Sequence, residues 1–405
     1  MKNPKIRFKG CTEDWEQRKL GDVAERVQGN DGRMDLPTLT ISAANGWLDQ
    51  RDRFSSTIAG SEQKNYTLLH KGELSYNHGN SKLAKYGTVF ALRTYEEALV
   101  PRVYHSFKVT EEADADFIEY VFATKLPDRE LGKLISSGAR MDGLLNINYD
   151  EFMSINIMMP SVAEQIRISD HLRKVDRLIT LHQRKCEETK KLKKYMLQKM
   201  FPKDGATVPE IRFAGFTEDW EQRKVRDIAG RTYGGGTPKT SVDEYWNGKI
   251  PWIQSSNLSE HELFSADIQK YISELGLQKS ATQLVPKKSI AVVSHVGVGK
   301  LVFMPFEYTT SQDFISLSEL KSEPIFTCYV LYKRLQEDSH IVQGSAIKGI
   351  TKEDLLNKVI MLPSIPEQKM IGDVLSKLDT LITLHQRKCN ELQNIKKYML
   401  QNMFV

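Results

Sequence analysis

The chain repeats itself, and this repeat is the feature that most restricts what it can fold into. Residues 6–26, IRFKGCTEDWEQRKLGDVAER, share 15 of 21 positions with residues 211–231, IRFAGFTEDWEQRKVRDIAGR. Near the end of each half, nine consecutive residues, LITLHQRKC, recur unchanged at 178–186 and 381–389. A repeat of this length and identity predicts two copies of one structural unit.

The segments between the copied ends differ. Residues 27–145 contain TLTISAANG and LSYNHGNSK, whereas residues 232–348 contain GGGTPKT and PWIQSSN. The two halves are joined at 201–210 by FPKDGATVPE, whose Pro and Gly residues indicate an exposed connector. Copied end segments around divergent central segments predict one scaffold that carries two different surfaces. A protein that binds two different targets at a fixed separation would require such an arrangement.

The second copied segment of each half predicts a long helix. From Glu164 to Phe201 there is no Gly or Pro, good helix formers dominate, and Pro202 follows. A 4–3 spacing is kept for about five heptads, which predicts a coiled-coil seam. The seam positions are Ile168, Leu172, Val175, Ile179, His182, Cys186, Thr189, Lys193, Met196 and Met200, and in the second copy Ile371, Leu375, Leu378, Ile382, His385, Cys389, Leu392, Lys396, Met399 and Met403.

The divergent segments predict mixed α/β domains. Short β-like runs such as TLTISA, GTVFAL, VYHSFKV, SIAVVS, KLVFMPF and FISLSEL alternate with turn signals. Amphipathic helices are expected at equivalent places, 115–127 and 324–338. The predicted fold is α/β: two such domains joined by two long helices that form an antiparallel coiled coil, with a pseudo-two-fold internal repeat. The expected boundaries are a first domain at 1–163, a helix at 164–201, the connector and second domain at 202–366, and a helix at 367–405.

Charge and cysteine content narrow the class of protein. The formal net charge of +5 permits basic faces without demanding a nucleic-acid partner. Four cysteines in 405 residues do not make a disulfide framework. No apolar run follows the charges of MKNPKIRFKG, and no window reaches about 18 uninterrupted apolar residues, so we expect neither a signal peptide nor a membrane span. These features predict a cytoplasmic protein.

The common catalytic and cofactor motifs are missing. GVGK at 297–300 lacks the first glycine and the final Ser or Thr of a phosphate-binding loop, and YGGGTP lacks a dinucleotide-site context. HExxH, CxxC, GxSxG and the Asn- or Asp-Pro-Pro-aromatic run of amino-methyltransferases do not occur. We therefore expect a non-catalytic protein without a cofactor.

The long helices carry two further features, each with two interpretations. A second apolar stripe either packs on the chain's own domains or accepts helices from partner proteins. Its residues are Leu178, Leu181, Leu192, Tyr195, Leu381, Leu384, Ile395 and Tyr398. The pairs His182/Cys186 and His385/Cys389 lie near the helix centres; a polar centre in the helix pair is the favoured interpretation, and a zinc site is the minor alternative.

The whole chain resembles the specificity subunit (HsdS) of type I restriction-modification systems. The resemblance rests on TEDWEQRKLGDV and TEDWEQRKVRDI, GGGTP…YWNGKIPWI at 234–253, SHVGVGKLVF…TTSQDF at 294–314, and the P-S-x-x-EQ entry to each long helix. It implies two target-recognition domains, each reading one half of an asymmetric bipartite site in double-stranded DNA. It also implies that the paired helices act as a ruler and dock two methyltransferase subunits, and that the assembled methylase recruits the translocating endonuclease subunits.

Candidate DNA contacts follow from which side chains read base edges and hold phosphates. In the first half they are Ser42, Asn45, Arg51, Asn77, His78, Asn80, Lys82, Lys85, Tyr86, Arg102 and His105. In the second half they are Tyr233, Gly236, Thr237, Lys239, Gln254, Ser255, Asn257, His295, Lys300 and Gln312. Two other functions stay open: a methyltransferase or nuclease with a fused reader, and a coiled-coil scaffold that reads no sequence.

Overall fold

The computed structural model describes residues 3–54, 60–79, 81–135, 144–203, 205–295, 297–341 and 349–405. The chain divides into two compact units. Unit 1 contains Met1–His182 and Lys388–Val405, and unit 2 contains Gln183–Arg387. Each long helix therefore contributes its first part to one unit and its last part to the other.

Unit 1 is built on a four-stranded sheet in the order β2-β9-β6-β7, with three two-stranded pairs, β1-β10, β3-β4 and β5-β8. Its strands are β1 (Glu16–Lys19), β2 (Ala24–Arg26), β3 (Leu39–Ser42), β4 (Gly46–Asp49), β5 (Thr67–His70), β6 (Leu74–Asn77), β7 (Thr88–Ala91), β8 (Glu97–Val100), β9 (His105–Val109) and β10 (Asn156–Met159). Its helices are α1 (Gln50–Phe54), α2 (Ala115–Ala123), α3 (Asp128–Leu134), α4 (Tyr149–Met153) and the first part of α5 (Val162–Lys199).

Alternation along β7 shows how unit 1 fills two cores. Val89 and Ala91 lie in the main core with α2, whereas Phe90, between them, packs against the smaller core beneath β3, β5 and β8. Helix α2 begins where the Asp114 side chain accepts a hydrogen bond from the Phe117 backbone N–H. The helix predicted for 115–127 ends earlier, at Ala123, because Lys125 takes a left-handed backbone conformation with φ 67°.

Unit 2 repeats this plan with a four-stranded sheet, β12-β18-β15-β16, a three-stranded sheet, β14-β13-β17, and the pair β11-β19. Its strands are β11 (Glu221–Lys224), β12 (Ala229–Gly234), β13 (Ile250–Ile253), β14 (Lys270–Ile272), β15 (Ser289–Val293), β16 (Leu301–Met304), β17 (Thr309–Thr310), β18 (Phe314–Leu320) and β19 (Val359–Leu362). Its helices are α6 (Val225–Ile228), α7 (Glu274–Gln278), α8 (Pro324–Ile341), α9 (Lys352–Asn357) and the first part of α10 (Ile365–Asn402).

The uninterrupted apolar run in β15 has a similar explanation. Ile290 and Val292 lie in the core shared with α8, whereas Ala291 and Val293 lie in the core beneath β13 and β17. A strand covered on both faces has no polar face, which accounts for a run without alternation. All six β-like runs predicted from the sequence contain a strand, and the helix predicted for 324–338 lies within α8.

The copied ends form the same junction in each unit. Arg7 forms a buried ion pair with Glu164 at the start of α5, with its nearest nitrogen and oxygen 2.6 Å apart. Arg212 makes the equivalent pair with Glu367 at the start of α10, at 2.8 Å. The opening of each half is thereby fastened to the start of its own long helix.

A tryptophan fastens each opening segment to the end of the other long helix. Trp15 packs edge-on against Phe404, which follows α10, with ring centroids 6.1 Å apart. Trp220 packs in the same way against Phe201, which follows α5, at 5.9 Å. Each unit therefore contains the start of one long helix and the end of the other.

Helix α5 begins and ends two residues before the predicted bounds, 164–201, and α10 begins two residues and ends three residues before its predicted bounds, 367–405. Every residue assigned to the seam is buried or half-buried, including the two lysines, Lys193 and Lys396. Among the helices in the described part of the chain, none is long and apolar enough to cross a membrane.

Candidate nucleic-acid interface

Several strands of unit 2 end at one edge of the fold. Strands β13 and β17 run parallel, so the residues that follow them lie side by side; the Ser311 backbone N–H donates to the Ile253 carbonyl oxygen at 2.9 Å. The loop after β12 joins them, because the Gly236 N–H donates to the Thr310 carbonyl oxygen at 2.8 Å. The polar residues that follow these strands are thereby brought together.

The loop after β15 reaches the same edge. The Ser294 backbone N–H donates to the Asp313 carbonyl oxygen at 2.7 Å, and its hydroxyl donates to the same oxygen at 2.9 Å. The next residue, His295, is exposed, with Nδ1 3.0 Å from the Ser294 hydroxyl. The exposed or half-buried residues along this edge, which we call the unit 2 loop edge, are Thr237, Gln254, His295 and Gln312.

Two of these side chains are joined to each other. The exposed Thr237 hydroxyl donates to Gln312 Oε1 at 2.8 Å. With its oxygen held in this way, Gln312 presents its amide nitrogen as a donor. An amide of fixed orientation can distinguish the donor and acceptor pattern of one base edge from another.

Three predicted contacts in unit 2 instead support the loops. Gly236 is buried, and a Cβ there would lie 2.6 Å from the Thr282 backbone nitrogen, so the position requires glycine for close packing. Asn257 is buried and accepts a hydrogen bond from the Gln254 N–H at 2.8 Å. Lys300 is half-buried and donates to the Leu258 carbonyl oxygen at 3.0 Å. We revise the prediction for these residues, since their side chains or backbones are already engaged.

The remaining predicted residues of unit 2 border the edge. Tyr233 is half-buried on β12, Ser255 is half-buried just after β13, and Lys239 is exposed in the loop after β12. The Lys239 carbonyl oxygen accepts a hydrogen bond from Trp246 Nε1 at 3.2 Å, so the backbone of this loop is anchored while its lysine is exposed.

Unit 1 has a corresponding edge, where β3 and β6 end together. Asn77, the last residue of β6, donates from Nδ2 to the Ile41 carbonyl oxygen at 3.2 Å and accepts from the Gly79 N–H at 3.0 Å. The half-buried Asn77 therefore holds two loops together. We revise its role from a base contact to a loop support.

The two histidines predicted to contact DNA in unit 1 lie beneath this edge. His78 is buried, and its Nδ1 and Nε2 lie 2.8 and 2.9 Å from the carbonyl oxygens of Leu145 and Val103. His105 is half-buried and donates from Nε2 to the Ile147 carbonyl oxygen at 2.9 Å; burial lowers its pKa to about 4. The two rings stack with centroids 4.9 Å apart. We revise both predictions, because His78 has neither ring nitrogen free and His105 is desolvated.

The exposed or half-buried residues around that support make up the unit 1 loop edge. Its members are Ser42, Asn45, Lys82, Lys85, Tyr86 and Arg102. The predicted contact Arg51 lies outside this edge, because β4 is antiparallel to β3 and ends beside the start of β3; Arg51 is paired there with Asp49, at 2.9 Å. Lys82 is raised on a tight turn, in which the Ser81 and Ala84 backbones exchange hydrogen bonds at 3.1 and 3.2 Å. The predicted contact Asn80 lies outside the described residues.

Two arginines outside the predicted set occupy equivalent positions. Arg26 and Arg231 end the copied opening segments, and both are exposed. Arg26 lies over the ring of Tyr149, at 4.3 Å from its centroid, and Arg231 lies over Tyr233, at 5.1 Å. The signal was available in the repeat itself, since both copies end in arginine at the boundary with the divergent segment.

A second candidate surface lies on the long helices. All eight residues of the second apolar stripe are exposed, from 42% for Leu381 to 57% for Tyr398. They are therefore not covered by their own domains. Among the described residues, no group of three or more His, Cys, Asp or Glu side chains could hold a metal ion. Cys186 is buried, with its sulfur 3.6 Å from Gln386 Oε1.

Comparison with known proteins agrees with this architecture. The family model of the type I restriction modification DNA specificity domain matches twice, at residues 12–191 and 217–394. The type I restriction enzyme MjaIX specificity subunit of Methanocaldococcus jannaschii is 29% identical over 194 residues, which cover 46% of this chain and 44% of that protein. The putative MjaX specificity subunit of the same organism is 24% identical, over 96% of this chain and 92% of its own length.

A solved structure has the same fold. The S subunit of a type I restriction-modification system from M. genitalium aligns with a TM-score of 0.66 at 14% identity, covering all of this chain and 99% of that one. The structural likeness concerns the fold, and the two family-model matches, which cover most of the chain, establish the family. The chain belongs to the type I restriction modification DNA specificity domain family and contains that domain twice.

Proposed function

We propose that this chain is the DNA specificity subunit of a type I restriction-modification complex. Each loop edge reads one half of a bipartite, asymmetric site in double-stranded DNA. The observation that carries the proposal is that copied junctions, with matching Arg–Glu pairs, support loop edges with different side chains. Identical supports with different readers fit a site whose halves differ in sequence.

The two edges differ in their chemistry. The unit 2 loop edge offers amide, hydroxyl and imidazole groups, which suit hydrogen bonds to base edges. The unit 1 loop edge offers Lys82, Lys85 and Arg102, which suit phosphate or guanine contacts, beside Ser42 and Asn45. Arg26 and Arg231 are added as candidates because each marks the start of a divergent segment.

The long helices are proposed to pair as an antiparallel coiled coil that gives the molecule a pseudo-two-fold frame. Contacts inside each unit support this. In unit 2, Cys186 of α5 contacts Gln386 of α10, and Lys193, seven residues later in α5, pairs with Asp379, seven residues earlier in α10. Contacts that advance along one helix while they go back along the other are typical of an antiparallel pair. In unit 1, Asp176 and Lys396 pair in the same register. A helix of 38 residues is about 57 Å long, enough to bridge half-sites roughly 34 Å apart.

The exposed stripe is proposed to dock two methyltransferase subunits. Each unit receives one set of four stripe residues, two from each long helix. The unit 1 set is Leu178, Leu181, Ile395 and Tyr398, and the unit 2 set is Leu192, Tyr195, Leu381 and Leu384. The repeat makes the two sets equivalent, so one kind of partner could bind twice. The assembled methylase would then recruit the translocating endonuclease subunits.

The chain itself is proposed to be non-catalytic and to need no cofactor, with DNA and the subunits of the complex as its partners in the cytoplasm. We keep the four expected segments as a proposal: a first target-recognition domain, or reader, at 1–163, a helix at 164–201, the connector and the second reader at 202–366, and a helix at 367–405. Sequence preference then belongs to the readers, and gap length belongs to the helices.

One experiment tests the proposal against its two rivals. Methylated adenines are mapped genome-wide in cells that express this chain with its methyltransferase subunits, and the purified chain is titrated with S-adenosylmethionine by calorimetry. We expect one bipartite methylated motif and no binding of the cofactor by the chain alone. Tight cofactor binding would support an intrinsic enzyme, and methylation without any motif would support a scaffold.

A further inference from the structure

The same three side chains meet in each unit, at the place where the reader rests on the long helices. In unit 1, the Tyr120 hydroxyl donates to Asp176 Oδ2 at 2.7 Å, and Lys396 Nζ lies 2.6 Å from the other carboxylate oxygen. In unit 2, Tyr329 donates to Asp379 at 2.5 Å, and Lys193 Nζ lies 2.5 Å from that carboxylate. We call each set a Tyr–Asp–Lys triad.

Each member of a triad belongs to a different element. Tyr120 comes from reader helix α2, Asp176 from the first part of α5, and Lys396 from the last part of α10. In unit 2 the tyrosine comes from α8, the aspartate from α10 and the lysine from α5. One carboxylate therefore joins a reader to both long helices, and the lysine of each triad occupies a seam position, where the heptad pattern would favour an apolar residue.

The tyrosines of both triads are shielded from water, and the ion pairs are partly shielded: the side chains of Lys193 and Asp379 are 11% and 19% exposed, and those of Lys396 and Asp176 are 28% and 35% exposed. Tyr120 is 3% exposed, and Tyr329 is fully buried. Burial raises the pKa of both hydroxyls well above its ordinary value, and the neighbouring aspartate adds to the effect, so each tyrosine remains a donor. The lysines also lie over the rings, at 5.5 Å from each centroid.

Buried ionic groups contribute little net stability compared with apolar packing, and their best-attested role is to fix one register among alternatives. A hydrogen bond at 2.5–2.7 Å also tolerates little movement between its partners, because contacts beyond about 3.5 Å no longer count as hydrogen bonds. The triads therefore oppose sliding or turning of a reader on the helices.

Changing the gap in the DNA requires that kind of movement. Each added base pair shifts a half-site by about 3.4 Å along the axis and turns it by roughly 34–36° around the axis. To reach such a site, a reader must move on the helices or the DNA must deform. A reader that is held by a triad can move on the helices only if the hydrogen bonds of the triad break.

We propose that the two Tyr–Asp–Lys triads are positioning groups that set the permitted gap between the half-sites. The inference rests on the proposed function and deepens it: the helices provide the span, and the triads hold each reader to one position on that span. Base recognition stays with the loop edges, so loss of a triad changes gap selectivity and leaves the half-site sequences as they are.

The test uses the full chain assembled with its methyltransferase subunits. The variants Tyr120→Phe and Tyr329→Phe remove the hydroxyl and keep the buried ring. The variants Lys396→Met and Lys193→Met remove the charge and keep a side chain of similar length. The matched controls are Lys397→Met and Lys194→Met, which remove exposed charges one residue away on the same helices. The substrates are duplexes with the wild-type half-sites and a gap that is one base pair shorter, correct, or one base pair longer.

We expect the preference of each triad variant for the correct gap over the wrong gaps to fall about tenfold. In the wild type, binding to a wrong gap requires a hydrogen bond to a charged group to break, and the variants lack that bond, so the wrong gaps no longer carry this cost. The controls should keep the wild-type ratio. Assembly by size-exclusion chromatography checks folding, and the tyrosine variants provide the decision if a lysine variant fails to assemble. Unchanged gap selectivity in assembled triad variants, or altered half-site sequences, would overturn the inference. A wild-type complex that methylates no bipartite site would overturn the proposed function instead.

Discussion

The backbone N–H of Ile6 donates a hydrogen bond to the carbonyl oxygen of Asn402 at 2.9 Å, so the opening segment lies on the last residue of α10. Ile211 makes the equivalent bond to Lys199 at the end of α5, also at 2.9 Å. The connector at 201–210 joins the second pair through the chain. The first pair has the same geometry without a covalent connection.

This equivalence predicts that the chain tolerates circular permutation. A permuted chain that starts at Ala206 and joins Val405 to Met1 through a copy of the connector should fold, because every copied junction is preserved. Its midpoint of thermal unfolding should lie within a few degrees of the original, and it should methylate the same motif. The control is a permutation that opens α5 at Cys186, which interrupts a long helix inside the seam and should fail to assemble. The account would be contradicted if the permutant that starts at Ala206 failed to fold while the permutant opened at Cys186 folded.

The buried Arg–Glu pairs should be important for stability. Glu164 and Glu367 are 2% and 0% exposed, so Arg7→Met or Arg212→Met leaves a carboxylate buried without its cation. We expect a loss of about 2–4 kcal/mol of unfolding free energy for either variant, measured by urea denaturation. Arg184→Met, which removes an exposed pair with Glu188, should change it by less than about 0.5 kcal/mol. Equal effects at all three sites would contradict this assignment.

His105 predicts a pH dependence of stability. Its folded pKa of about 4 lies below the ordinary value of 6.5, since burial disfavours the charged ring. The unfolded state therefore binds more protons between these two values, and the contribution of His105 is fully present above pH 6.5 and is lost as the pH falls towards 4. The loss amounts to about 3 kcal/mol. Urea denaturation at pH 7 and pH 5 should show a smaller difference for His105→Gln than for the wild type; an unchanged difference would exclude His105 as its source.

The unit 2 loop edge predicts two kinds of DNA effect. Gln312→Ala removes an oriented amide and should relax sequence preference at one position of one half-site, by about 1–3 kcal/mol. Lys239→Ala should weaken binding to all sequences alike and lower the salt dependence by about one phosphate contact. Binding of the assembled complex to a duplex library at several salt concentrations separates the two. A uniform loss for Gln312→Ala would remove it from the set of base contacts.

The sequence predicted the framework well because repeats and heptads are local patterns. The long helices, the buried or half-buried seam residues and the strand runs were all found in this way. The partners of individual side chains were not. His78 was selected as a polar residue after a strand, but the two carbonyl oxygens that its ring nitrogens contact belong to residues 67 and 25 positions away. Whether a polar side chain points outward or supports a loop depends on such distant contacts.

Lys193 is a further case in which contacts distant in the sequence decide whether a polar side chain is buried. In the sequence it belongs to a run of lysines that most resembles a solvated helix face. The structure buries it at 8% exposure, paired with Asp379, whereas its neighbours Lys190, Lys191 and Lys194 remain exposed. Its position in the heptad indicated burial, but only the contact with an aspartate on the second helix explains how a charge is accommodated there.

The central claim is that each divergent segment reads its own half-site. Residues 27–145 are replaced by the corresponding segment of another specificity subunit, and methylated adenines are mapped genome-wide with the same methyltransferase subunits. The account predicts that one half of the motif changes while the other half and the gap stay the same. A motif that is unchanged, or that changes in both halves, would contradict it.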